Sequence, residues 1–199
     1  MSNRSPAADR VCEAAVAHFA IHGYDGASLN DIAASIGIRK ASLYSHFASK
    51  DALYLQVLED AMAIESAYVV QALAGAATAA GPGAVYMRAI ARRYEESVHL
   101  RYLLRTVFLP PATYRDIIGR MYVQFLELVR EGFLRQLREC SSTALSDDHA
   151  KRYGLTYIGI VESLYVEIVY EGPEPMKARR DAMWQVLMDS LQLRLSLPA

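Results

Sequence analysis

The chain is poor in several residues and patterns that would commit it to common chemistries. Its two cysteines, Cys12 and Cys140, are too few and too far apart for a disulfide framework or a metal cluster, and both read as packing thiols. Only seven prolines interrupt 199 residues, and no segment alternates apolar and polar residues as a half-buried strand does. No apolar run reaches the roughly 18 uncharged residues of a membrane span. The start, MSNRSPAADR, lacks the apolar block of a secretory signal, so a cytoplasmic protein without a membrane partner is expected. No Ser-His-Asp, Cys-His or metal-binding spacing occurs. The sequence therefore predicts no catalytic residue, no metal and no cofactor, and not an enzyme. A net charge of −1 also excludes a wholly basic, nonspecific nucleic-acid binder.

What is present is helical. Hydrophobic residues make up 53% of the chain, enough for a sizeable core, and they recur at helical spacing. The most informative stretch is Ser28 to Lys50, SLNDIAASIGIRKASLYSHFASK. Leu29, Ile32, Ala33 and Ile36 fall at i, i+3, i+4 and i+7, and Ser28 with Asp31 makes a capping-box-like start. Gly37 is suited to a left-handed turn that stops this helix, and a second helix is predicted over Arg39 to Phe47. If Leu43 and Phe47 face inward, Ala41 and Ser45 point outward with Ser42 and Tyr44 on the flanks. A small, polar face of this kind fits a DNA major groove, and Arg39, Lys40 and Lys50 bracket it with no acid between Ile36 and Lys50. The pattern assigns Lys40, Ala41, Ser42 and Ser45 to base readout. Arg39, Tyr44, His46 and Lys50 are assigned to phosphate positioning, and Ser28 offers a hydroxyl and free backbone amides to another phosphate.

The string AxxGYxxxSLxDIAxxxGIxKxSLYxHFxSKxxL, from Ala20 to Leu53, resembles the DNA-binding domain of the tetracycline-repressor (TetR) family of bacterial transcription regulators. It departs mildly where Ala41 and Ser42 stand at positions that often hold Gly and Thr. The resemblance implies a sequence-specific regulator, most often a repressor, released from a pseudo-palindromic operator by a small-molecule inducer. It also implies a homodimer formed by the last two long helices, and it matches Ser42 and Tyr44 to positions that commonly touch DNA.

The predicted architecture is all-α: an N-terminal three-helix helix-turn-helix domain over 1–53, joined by a long helix to a helical ligand-sensing and dimerisation domain over 54–199. Met1 to Pro6 reads as an arm whose Arg4 can reach a groove or phosphates. A first helix is expected from Ala7 to His22, ended by Gly23. Ser49 caps the long helix, expected to reach about Ala77 before the break at 79–83. Ala84 to Ser97 and Val98 to about Phe108 read as two helices or one kinked helix. Pro110-Pro111 is expected to open a helix to Cys140, Ser146 to cap a helix to about Glu171, and the last helix to start near Met176.

Nine of the thirteen tyrosines lie after Gly83. Tyr86, Tyr102, Phe108, Tyr114, Met121, Tyr122, Phe125, Tyr157 and Tyr165 carry the apolar bodies and polar tips of a small-molecule pocket. Arg105 offers itself to an anionic ligand, Glu162 or Glu167 to a cationic one, and the sequence leaves that choice open. Tyr153, Gly154, Val161 and Leu164 in one helix, with Trp184, Leu187, Met188 and Leu191 in the next, are the candidate dimer interface. A regulator whose second domain binds a protein partner instead of a metabolite is the alternative.

Overall fold

The computed structural model describes residues 4–142 and 144–195. Met1 to Asn3, the start of the predicted arm, lie outside the described residues. Nine α-helices follow one another: α1 Pro6–Gly26, α2 Leu29–Ser35, α3 Lys40–Tyr44, α4 Lys50–Leu73, α5 Ala84–Glu96, α6 Val98–Phe108, α7 Arg115–Cys140, α8 Asp147–Tyr170 and α9 Pro173–Leu195. The described residues contain no strand, and a lone bridge between Thr78 and Gly81 closes the turn before α5. No helix among them is long and apolar enough to cross a membrane.

Serine side chains mark five helix starts, three of them, at Ser28, Ser49 and Ser146, as the sequence suggests. Ser5, Ser28, Ser97 and Ser146 each accept a hydrogen bond from a backbone amide of the first turn, and Ser49 Oγ accepts one from Ala52 N. Several boundaries differ from expectation. Gly23 has the left-handed φ of 68°, yet the chain resumes helical turns as far as Gly26, so the glycine kinks α1 without ending it. The second helix of the helix-turn-helix is one turn and a half, Lys40–Tyr44, with Arg39 as its extended N-cap residue. α4 stops at Leu73, short of Ala77. The last helix opens at Pro173, because both Pro173 and Pro175 fall in a first turn, where no amide donor is needed. Pro110-Pro111 leads into a 3-10 turn, Ala112–Tyr114, before α7 begins.

The chain divides into two compact units. The first comprises Met1–Glu65 and Ser97–Arg120, the second Ser66–Glu96 and Met121–Ala199. In the first unit α1 packs on α6 and α2, and α2 on α3. Its interior is aromatic around Tyr54, which lies edge-on to Phe19 and Tyr24 at 5.0 Å and to Tyr102 at 5.7 Å, and stacks with Tyr114 at 5.9 Å. The phenols are also tied: Tyr102 O–H donates to Tyr54 O and Tyr54 O–H to Thr106 Oγ1, each at 3.2 Å.

In the second unit α5 packs on α8 and α9, and α8 on α9. Phe133 stacks on Tyr157 at 4.2 Å, and Tyr157 O–H donates to Gly83 O at 2.9 Å. Gln136, buried on α7, accepts from Gly83 N at 2.8 Å and donates to Leu73 O at 3.2 Å and Gly75 O at 2.8 Å. One amide thus satisfies the end of α4 and the start of α5, which explains why α4 ends where it does. Gln136→Leu keeps the volume and strands Gly83 N–H and Gly75 O, while Leu73 O keeps its bond from Arg135, so urea unfolding should show a loss of about 2–4 kcal/mol. A loss below about 1 kcal/mol would refute the clamp.

Candidate functional site

Leu43 and Phe47 are the buried pair that orients α3. Arg39, Lys40, Ala41, Ser42, Tyr44, Ser45 and His46 around them are exposed, and Ser28 and Lys50 are half-buried. The turn before α3 depends on Gly37, whose φ of 70° suits a residue without Cβ. Ile38 N–H then donates back to Ala33 O at 3.0 Å and closes the reversal. All nine residues predicted for DNA contact therefore belong to the first unit and are exposed or half-buried.

That face is polar, cationic and only lightly committed. Arg39 and Lys40 form no ion pair with a described residue, and Lys40 Nζ lies 5.8 Å from the centre of the Tyr44 ring. Ser45 O–H donates to Ser42 O at 2.7 Å, while Ser28 Oγ accepts from Asn30 N at 3.1 Å. Lys50 is positioned more firmly: its ammonium sits 4.5 Å from the centre of the Tyr24 ring and 3.5 Å from Asp25 O.

A set of residues that the sequence reading passed over supports this end of α4. Tyr24 O–H donates to the Asp51 carboxylate, and the Tyr114 phenol is near enough to favour its charged form. The two phenols hold the Asp51 carboxyl below the usual carboxylate range. Arg4 is drawn away from the groove-reaching role suggested for it. It forks onto Asp60 at 3.0 and 2.6 Å and reaches Asp9 at 3.1 Å. Asp60 lies 56 residues away in sequence, and no local spacing signals such a pair. Cys12, buried beside it, has its thiol pushed up to about 12, chiefly by burial, and is a packing residue.

The predicted ligand residues divide between the units. Tyr102, Arg105, Phe108 and Tyr114 belong to the first, where Tyr102 and Tyr114 are in the Tyr54 cluster and the Arg105 guanidinium lies against Gly23. Tyr86, Met121, Tyr122, Phe125, Tyr157, Glu162 and Tyr165 belong to the second. Tyr157 is fully buried and engaged in the fold, and Tyr86 and Tyr165 join their hydroxyls in a buried hydrogen bond. Tyr122 differs: its hydroxyl is buried with no hydrogen-bond partner among the described residues. Glu167 forms an ion pair with Arg179. Glu162, half-buried, makes no such contact with a described residue, and burial pushes its carboxyl up.

Of the predicted dimer residues, Tyr153, Gly154, Val161, Leu164, Leu187 and Leu191 are buried within the single chain. Trp184 and Met188 are partly exposed. A second stripe that the sequence reading did not separate from the first is open: Leu155, Val166 and Tyr170 on α8 and Val186 and Leu193 on α9. A groove of about 420 Å³ runs along this pair of helices, lined by Thr156, Ala182, Met183 and Val186 among others. The i, i+11, i+15 spacing of Leu155, Val166 and Tyr170 was the available signal.

An all-helical chain with a three-helix, outward-facing helix-turn-helix is the architecture of groove-reading regulators. Residues 11–57 match the family model described as bacterial regulatory proteins, tetR family. That match is confined to the N-terminal segment, about a quarter of the chain. The chain is 50% identical over 48 residues to IcaR, the biofilm operon icaADBC HTH-type negative transcriptional regulator of Staphylococcus aureus. That match spans 24% of this chain and 26% of the relative, so it covers about a quarter of each. The Staphylococcus epidermidis IcaR is 40% identical over 52 residues, 26% of this chain and 28% of that protein. Over nearly the whole length the fold is shared with a TetR regulator from Chloroflexus aurantiacus, with a TM-score of 0.72, 20% identity and coverage of 91% and 93% of the two chains. PfmR of Thermus thermophilus, also of the TetR family, matches with a TM-score of 0.61, 22% identity and coverage of 90% and 98%.

Because the Tyr24 hydrogen bond favours the charged form of Asp51, it stabilises the fold fully above the ordinary carboxyl value of 3.8 and fades as pH falls through the lowered one. Tyr24→Phe should therefore melt below the wild type at pH 7. The gap in Tm should narrow as pH is taken below 3.8. A gap that is absent at pH 7, or that widens in acid, would show that the bond has another role.

Proposed function

We propose that this chain is a homodimeric transcriptional repressor that reads a pseudo-palindromic operator with α3 and leaves it when a small molecule binds the helical body. The observation that carries the reading is the face of α3. Leu43 of α3 and Phe47 just beyond it are buried, every other side chain from Arg39 to His46 is presented to solvent, and Arg39 and Lys40 on one side and Lys50 on the other carry positive charge with no acid between. A helix of this width enters a major groove, with Lys40, Ala41, Ser42 and Ser45 towards base edges and Arg39, Tyr44, His46 and Lys50 towards phosphates. The role of IcaR as a negative regulator supports the repressing sign.

The division of labour follows the sequence reading: DNA contact in 1–53, sensing and dimerisation in 54–199. The exposed apolar stripe of α8 and α9 is the surface best suited to a second copy of the chain. A two-fold axis there would set two α3 helices on half-sites about one helical turn apart, some 34–36 Å. DNA and inducer then weaken each other equally by linkage.

Selection of bound duplexes from a random pool at near-physiological salt should return a pseudo-palindrome, and a folded dimer that enriches none would sink the reading. On the selected site, Tyr44→Ala and Lys50→Ala should each weaken binding by about tenfold or more, and Lys50→Ala should lower the salt slope by about 1 per half-site. Full affinity in both variants would overturn the proposed docking.

A further inference from the structure

A groove of about 540 Å³ lies between α4 and α5, wholly within the second unit. Ala72, Val85 and Ala89 give it apolar walls, and Tyr68 contributes an aromatic ring. Its charged lining is Arg88 and Arg92, one helical turn apart on α5, with no acid among the lining residues. Another groove of the same unit, about 400 Å³ between α4 and α7, differs in charge. There Glu131 stands in the wall with Arg135 and Arg138. It lies 4.0 Å from Arg138 and 2.9 Å from Arg130, and Arg135 donates to Leu73 O. The guanidiniums of that groove are met by protein. In the first groove Arg88 is exposed and forms no ion pair with a described residue, and Arg92 reaches Glu96 at 3.8 Å with both side chains largely in solvent. Arg105, the arginine that the sequence offers to an anion, belongs to the first unit, against Gly23.

Like charges at i, i+4 disfavour a helix, and no ion pair of Arg88 with a described residue offsets that repulsion. Two guanidiniums at this spacing can close on one doubly charged oxyanion, each through paired N–H donors. A monoanion satisfies one of them and a neutral molecule neither. A single exposed ion pair is weak, so the groove suits a ligand that engages both arginines and also buries apolar surface. The Tyr68 ring is braced for such a contact by Arg93, which lies 4.3 Å from its centre. We infer that this groove is the ligand site of the second unit and that its ligand is an organic dianion. Arg88 and Arg92 hold the oxyanion end, and Tyr68, Val85 and Ala89 flank the apolar body. This rests on the sensor reading above and adds the place, the charge and the two recognising residues.

Calorimetry on the intact full-length protein with phenyl phosphate, phenylacetate, 2-phenylethanol and inorganic phosphate tests it, at about pH 8, where a phosphate monoester carries both charges. Phenyl phosphate should bind about tenfold or more tighter than each of the other three, and tighter still as salt is lowered. Arg88→Gln and Arg92→Gln should each weaken it about three- to tenfold, while Arg138→Gln, in the other groove, should leave it unchanged. Unliganded Arg88→Gln should melt no lower than the wild type, because the charge it loses repels its neighbour. Equal binding of inorganic phosphate, preference for the alcohol, binding of none of the probes, full affinity in both glutamine variants of α5, or an equal loss in Arg138→Gln would each overturn the inference. So would a Tm several degrees lower in unliganded Arg88→Gln. The selected operator separates this failure from that of the sensor. Binding that the α5 variants abolish, without release of the operator, keeps the anion site and refutes the sensor reading. Release by the alcohol, with no binding of phenyl phosphate, keeps the sensor and refutes the groove.

Discussion

The packing of Tyr54 is the constraint on which the helix-turn-helix unit depends. Its ring meets Phe19 and Tyr24 from α1, Tyr102 from α6 and Tyr114 from the turn before α7, and its hydroxyl and carbonyl are both hydrogen-bonded. Each edge-to-face or stacked pair contributes about 0.5–1.5 kcal/mol beyond its buried area. Their number matters less than their geometry. Four rings from three further elements fix the rotation of α4 about its axis, so Lys50 and Asp51 at its start have little freedom. The start of α4 is where the predicted phosphate contact lies, and a core interaction thereby sets the position of a surface cation.

The same cluster bears on how a signal could travel. The chain passes between its two units at three places: inside α4 after Glu65, at the α5–α6 junction after Glu96, and inside α7 after Arg120. Ser97, at the second of these, caps α6 and donates to the buried Glu65 carboxylate at 2.6 Å, joining the first two crossings on the side of the first unit. A long α4 alone, the coupler that the sequence suggests, is one of three. Since α6 packs on α1 and contributes Tyr102 to the Tyr54 cluster, a displacement of α6 acts on the helix-turn-helix through side-chain packing as well as through the backbone.

The helix-turn-helix was legible because its information is local. Periodic apolar residues, one turn glycine and serine caps within a few positions of their partners define it. The direction in which Leu43 and Phe47 point follows from 100° per residue and needs no tertiary knowledge. What was illegible is non-local or degenerate. A single glutamine inside α7 carries no periodic signal that it will bind Gly83, Leu73 and Gly75. Glu162 and Glu167 stand in the same apolar run, and only the position of Arg179 separates them. α8 carries two apolar stripes, and spacing alone does not say that Val161 and Leu164 face inward while Leu155 and Val166 stay open.

Net charge is a poor guide to this DNA face because the acids of the first unit are unevenly available. Residues 1–53 hold as many acids as bases, which averages to zero. Asp9 and Asp60 are held by Arg4, and Asp51 is bonded by the Tyr24 phenol. Arg39 and Lys40 have no such partners among the described residues and keep their fields at the surface. The result is a short cationic edge, a few charges per protomer, which supplies little nonspecific attraction to a polyanion. A single α3 of five residues has correspondingly few contacts to offer. On the proposed reading, the weakness of one half-site makes a two-fold assembly necessary: specificity then depends on the fixed separation of two such edges, and a ligand that alters this separation by a few ångströms would switch binding off without touching the proposed DNA-contact residues.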